Sequence, residues 1–153
     1  MESDPMLDAP SRRRAVYAGL ALLLLRVISA LVLFEHATSQ AWGIPNNPAR
    51  PFEGAPAVFS RTWVASWLEL VGGTLIILGL FTRPTAFVLS GLMAFAYFLV
   101  HAPRGFFPIV NRGEPAVLLC FVFLYMSAAG AGPYSIDALW RSARGDTART
   151  PSD

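Results

Sequence analysis

The chain has 153 residues, 54% of them hydrophobic and 14% charged, where a soluble domain averages roughly 25% charged. With a mean hydropathy of +0.48, this composition excludes a fully water-facing surface and points to one domain embedded in a membrane. The net charge of +2 comes with twelve arginines and no lysine, scattered over predicted loops, which argues against a nucleic-acid partner.

Residues 1–14 are polar and end in Arg12-Arg13-Arg14, which reads as a cytoplasmic N-terminal tail. Arg26 interrupts the following apolar run and no small-x-small cleavage site follows, so an uncleaved first helix is expected rather than a signal peptide. Helices are predicted at about 15–42, 63–81, 85–101 and 114–130, an all-α, four-helix transmembrane domain over residues 15–133. Gly43-Ile44-Pro45-Asn46-Asn47-Pro48 breaks the first helix, Thr82-Arg83-Pro84 turns the second into the third, and Gly130–Pro133 ends the fourth. The loop 102–113, with Phe106-Phe107-Pro108, is expected to lie against the membrane interface.

Residues 134–153 form a second cytoplasmic tail, in which Ser135-Ile136-Asp137 caps a short amphipathic helix reaching Trp140. Four crossings put both termini on one side. That side carries Arg12, Arg13, Arg14, Arg83, Arg141, Arg144 and Arg149, and the other Arg50, Arg61, Arg104 and Arg112, so the termini belong in the cytoplasm of a bacterial inner-membrane protein. Trp42, Trp63 and Trp67 make an outer aromatic belt, and Tyr17 and Trp140 an inner one. Cys120 is the single cysteine, which leaves no intrachain disulfide and no cysteine-based metal site.

Glu69 sits about two turns into the second helix, where a carboxylate is costly unless it faces the protein interior. At about 1.5 Å of rise per residue, Arg26 lies roughly 18 Å from the inner face counted from Arg14, and Glu69 roughly 9 Å from the outer face counted from Trp63. Those depths agree within a core about 30 Å thick and predict an Arg26–Glu69 ion pair. Helical periodicity puts Gly19, Arg26, Ala30, Leu33, Ala37 and Gln40 on one stripe, and Ala65, Ser66, Glu69, Gly72, Gly73 and Ile76 on another. The third helix offers Ser90, Ala94, Tyr97 and His101, and the fourth Glu114, Phe121, Tyr125 and Ala128.

His36, His101 and Glu114 gather toward the outer face with Glu69, and Glu35 turns to the headgroups. Glu69, His36 and His101 are the candidate catalytic residues. Arg26, Glu69, Tyr97 and Glu114 are the candidates for a quinone pocket, with the histidines donating to a carbonyl and a carboxylate handling the proton. Haem ligation by the two histidines is the weaker alternative, and no metal site is expected, because no motif spacing supports either. The structural alternative for each residue is a buried specificity pair, a histidine at a helix end, or a glutamate favouring a helix N-terminus.

The stretches LLLRVISALVLFEHATSQAWG, ELVGGTLIILGLFTRPTA and HAPRGFFPIVNRGEPAVLLCFVFLYMSAAGAGPYSID, covering roughly residues 20–140, resemble the DoxX family of small four-helix bacterial membrane proteins. Relatives in that family include the membrane subunit of a thiosulfate:quinone oxidoreductase and proteins linked with oxidative-stress defence. At the end of the first helix the family commonly has a glycine and later a lysine; here Ala37 and Gln40 stand in those places. The resemblance implies a quinone-interacting component of a membrane redox or oxidative-stress system, an oxidoreductase subunit without a redox centre of its own, acting with a partner protein. The alternatives are a non-catalytic scaffold or envelope-stress protein and, third, a proton-linked transporter, which would call for a homo-oligomer.

Overall fold

A computed structural model describes residues 9–48 and 51–143. Arg50, Arg144, Arg149 and the outer parts of both predicted tails lie outside them. Helix α1 spans Ala9–Trp42, so it starts within the expected tail and takes the basic triplet onto a helix on the order of 50 Å long. Helix α2, Arg61–Leu78, is capped by Ser60, whose hydroxyl accepts from the Trp63 amide at 3.2 Å. Gly79 closes it in the left-handed conformation, φ 66°, with its amide on the α2 carbonyls.

Helix α3 is Thr82–Ala96 and continues without a break as a π-helical turn, Tyr97–His101, and a 3-10 turn, Ala102–Arg104. One-turn helix α4, Pro108–Asn111, leads to α5, Glu114–Ala129, and α6, Ile136–Ala143, follows. The stretches Ser11–Trp42, Arg61–Leu78 and Thr82–Arg104 are long and apolar enough to cross a bilayer. Helix α5 is as apolar but shorter, which gives three or four candidate spans.

The bundle consists of two closely packed pairs, α1 on α2 and α3 on α5, joined through α2 and α3; α1 barely meets α5. Ala30, Leu33, Ile76, Ala86, Leu89, Met93, Phe123 and Met126 form the core. Small residues set the spacing: a Cβ on Gly72 would stand 2.8 Å from Leu89, and one on Gly73 2.8 Å from Phe34. Close backbone approach of this kind is how helices associate where lipid is as apolar as the protein.

The stripes expected on α1 and α2 face inward: Arg26, Ala30, Leu33 and Ala37 are buried, as are Ser66, Glu69, Gly72, Gly73 and Ile76. The stripe expected on the fourth helix does not. Phe121 and Tyr125 point away from the protein and Glu114 is exposed, whereas Ala116, Phe123 and Met126 are buried. The cause is physical. Helix α5 is apolar all round, so no polarity difference marks its inner face, and large aromatics are as well placed in lipid as in the core.

The ion pair expected between Arg26 and Glu69 does not form. Arg26 Nη1 donates to the Ala131 carbonyl at 2.9 Å and Nη2 to the Tyr134 carbonyl at 2.7 Å, both in the segment that leaves α5. The guanidinium lies against Gly79, ten residues along α2 from Glu69, about 15 Å of helix rise. Carbonyls freed where α5 ends need donors, and a buried arginine supplies two.

That segment ties this end of the bundle together. The Asp137 carboxylate accepts from the amides of Phe81 and Thr82 at 2.9 and 3.0 Å, capping α3, and the Asp137 amide donates to the Gly79 carbonyl at 2.9 Å. Ser135 caps α6 through the Ala138 amide at 3.1 Å. Trp140 packs edge-on against Phe81 with ring centroids 5.9 Å apart.

Candidate functional site

Opposite the Arg26 end, the helices part around Glu69. Two adjoining cavities, about 700 and 610 Å³, share His36, Gln40, Thr62, Glu69, Ala96 and His101 in their linings. The first is walled by Leu33 of α1, Met93 of α3, and Ala116 and Leu119 of α5, with Asn46, Glu53 and Arg112 on its polar side. It exists because α1 and α5 hardly touch. The second is walled by Val64 and Ala65 of α2 and by Leu92, Phe95, Leu99 and Val100 of α3 and its π turn, with Arg61 and Arg104 at its edge.

Glu69 is the common floor. It is 3% exposed, and its Oε2 has no hydrogen-bond partner among the described residues. Helical register explains the placement: Thr62, Ala65, Ser66 and Glu69 follow one another at three- and four-residue spacing on α2. Ser66 spends its hydroxyl on the Thr62 carbonyl at 2.9 Å, so it leaves Glu69 alone. A buried polar atom without a partner is costly, so its position calls for an explanation.

His101 is held by geometry that the sequence did not disclose. The π turn adds a residue to the helical circuit and carries Leu99, Val100 and His101 onto the cavity wall beside Ala96, the last residue of α3. The His101 Nδ1 lies 3.1 Å from the Asn111 carbonyl. A carbonyl only accepts, so Nδ1 carries a proton and the neutral ring keeps Nε2 as an acceptor. Asn111 is buried and braces the turn, donating from Nδ2 to Gly105 O at 2.6 Å and accepting from the Gly113 amide at 2.7 Å.

Of the residues singled out in the sequence, Glu69, His36 and His101 line the cavities together. Arg26, Tyr97 and Glu114 are not among the lining residues. Arg26 belongs to the opposite end, and buried Tyr97 donates its hydroxyl to the Phe106 carbonyl, fixing the loop after α3. Glu114 sits exposed in the first turn of α5. Arg61, Arg104 and Arg112 were read as topology signals only. Arg104 stands three residues after His101, the one signal in the sequence that an arginine edges this site. Among the described residues no three His, Cys, Asp or Glu side chains converge as a metal-binding group.

Two proteins of Haemophilus influenzae (strain Rd) are similar to this chain, both described only as uncharacterized. One is 40% identical over 126 residues, covering 79% of this chain and 91% of the relative. The other is 30% identical over 135 residues, covering 84% and 88%. No solved structure matches the chain. The DoxX family model matches residues 21–102, more than half of the chain, from the α1 stripe through the π turn that carries His101. Family match and bundle agree: this multi-pass membrane-helix protein belongs to the DoxX family.

Proposed function

We propose that the protein is a quinone-interacting component of a membrane redox or oxidative-stress system, working with a partner protein in the bacterial inner membrane with both termini cytoplasmic. One observation carries the reading: a buried carboxyl oxygen without a partner at the floor of apolar cavities that two histidines also line. An apolar cleft of several hundred Å³ with a few convergent polar groups suits a flat, lipid-soluble ring. The second cavity's wall includes Phe95 and Leu99, which face lipid and offer a way in from the bilayer.

A quinone supplies two-electron, two-proton chemistry when bound, and the electrons are exchanged with the partner protein. Glu69 takes one hydroxyl proton of the reduced ring as it is oxidised and returns it on reduction. His101 does the same for the other hydroxyl through Nε2, its Nδ1–H staying on the Asn111 carbonyl. His36 stands at the mouth, shared by both cavities. Arg26 holds the far end of the bundle and takes no part.

The test is extraction of detergent-purified protein and mass spectrometry of the lipid fraction, followed by titration with a short-chain quinone, read by tryptophan fluorescence. The expected result is a quinone at up to one per chain, and a loss of affinity of about tenfold or more in Glu69→Gln, the size of one hydrogen bond to a charged group. Folded wild-type protein that neither carries a quinone nor responds to the titration would overturn the proposal and favour a scaffold.

A further inference from the structure

The second cavity has features that a quinone does not use. Arg61 stands in the first turn of α2 and Arg104 at the end of the 3-10 turn after α3. Arg61 begins α2 and Arg104 ends the extension of the antiparallel α3, and both line the 610 Å³ cavity. Neither has a hydrogen-bond or ion-pair partner among the described residues. Below them the walls are apolar: Val64 and Leu92, then Phe95, Leu99 and Val100, of which Phe95 and Leu99 are more than half uncovered by the protein. Glu69 closes the floor eight residues below Arg61, about 12 Å away, so its carboxyl is separate from the cationic rim.

The geometry points to a phospholipid with an anionic headgroup as the occupant of this α2–α3 groove. Its phosphate lies between Arg61 and Arg104, and an acyl chain runs down the apolar walls toward Ala96. Arginine forks suit phosphate oxygens, and a phosphodiester between the two would give each guanidinium an anionic acceptor. A free phosphate would use the rim and leave the walls bare; a zwitterionic lipid would bring its own cation against two others. The groove is continuous with the Glu69 site through His36, Gln40, Thr62 and His101, so the lipid forms one wall of that site. The acyl chain lies on the Phe95 and Leu99 wall by which a quinone enters, so the two exchange there, and headgroup retention is measured with no quinone present.

The experiment uses full-length protein in detergent, incubated with phosphatidylglycerol or phosphatidylcholine of identical acyl chains and examined by native mass spectrometry. Wild type should retain one phosphatidylglycerol on the order of thirtyfold more strongly than phosphatidylcholine, since each basic residue near the surface contributes about a factor of five. The doubly substituted Arg61→Gln/Arg104→Gln protein should lose that preference. Arg83→Gln, at the other end of α3, should keep it, and 10 mM inorganic phosphate should not displace the lipid. Equal retention of both lipids by wild type, survival of the preference in the double variant, its equal loss in Arg83→Gln, or displacement by phosphate would each overturn the assignment. Unchanged helical circular dichroism and melting temperature keep misfolding out of the comparison.

Discussion

Arg26 and Glu69 are the two buried charged side chains of α1 and α2, and a double-mutant cycle between them decides which end of the bundle each one serves. Replacing Arg26 by Met removes the hydrogen bonds to Ala131 and Tyr134 and leaves two carbonyls without their donors. Hydrogen bonds to a charged group contribute about 1.5–3 kcal/mol each, offset by release of a buried charge that is costly to desolvate. A net destabilisation of about 3 kcal/mol is expected. Glu69→Gln should change stability by less than about 1 kcal/mol, because Oε2 has no partner to lose. The two sites are separated by about 15 Å of helix and share no partner, so the double variant should equal the sum of the singles within about 0.5 kcal/mol. Reversible unfolding in mixed micelles measures all four corners. A coupling above about 1 kcal/mol would mean that the two charges meet and would refute the separation.

Three more outcomes follow from the same geometry. Asp137→Ala strips the cap from α3 and should cost about 1 kcal/mol in the same unfolding assay, with faster hydrogen exchange at the Phe81 and Thr82 amides. Gly79→Ala places a Cβ against the Arg26 guanidinium at a left-handed φ of 66° and should cost about 2 kcal/mol or more by unfolding, near the cost of losing Arg26 itself. Ala96→Phe fills space common to both cavities; it should lower short-chain quinone affinity at least about tenfold in the fluorescence titration, with no drop in melting temperature.

The inward faces of α1 and α2 were legible because small or polar residues recur there at helical spacing among leucines, isoleucines and valines. Glycine at 72 and 73 beside Glu69 carries that signal most clearly. Helix α5 was not legible: with Phe, Leu, Tyr and Met on every side, periodicity has nothing to read, and its expected stripe pointed to lipid. Arg26 failed for another reason. Its partners are main-chain carbonyls of residues 131 and 134, and a carbonyl has no signature in the sequence. Asp137 was legible as a helix cap but not as the cap of a helix that starts 55 residues earlier. The π turn that swings His101 to the wall has no local sequence mark either, since it depends on Asn111 bracing it from across the loop.

The two ends of the bundle differ in how far their polar groups are hydrogen-bonded. At the Arg26 end the polar groups are largely consumed. The guanidinium holds the Ala131 and Tyr134 carbonyls, Ser135 caps α6, and Asp137 joins the Gly79 carbonyl to the Phe81 and Thr82 amides, although Arg26 Nε and Thr82 Oγ1 have no partner among the described residues. At the Glu69 end, among the described residues, a carboxyl oxygen is buried without a partner, Arg61 and Arg104 have none at the cavity edge, and α1 makes little contact with α5. The Thr82 hydroxyl is neutral and costs little beside a carboxyl, and the Arg26 cation already donates twice to carbonyls. If the polar residues served stability alone, α1 would gain by closing on α5 and covering Glu69 with donors from Gln40 or Thr62, both already at the cavity wall. The gap instead leaves room beside an acceptor, which is what a ligand bearing a proton needs.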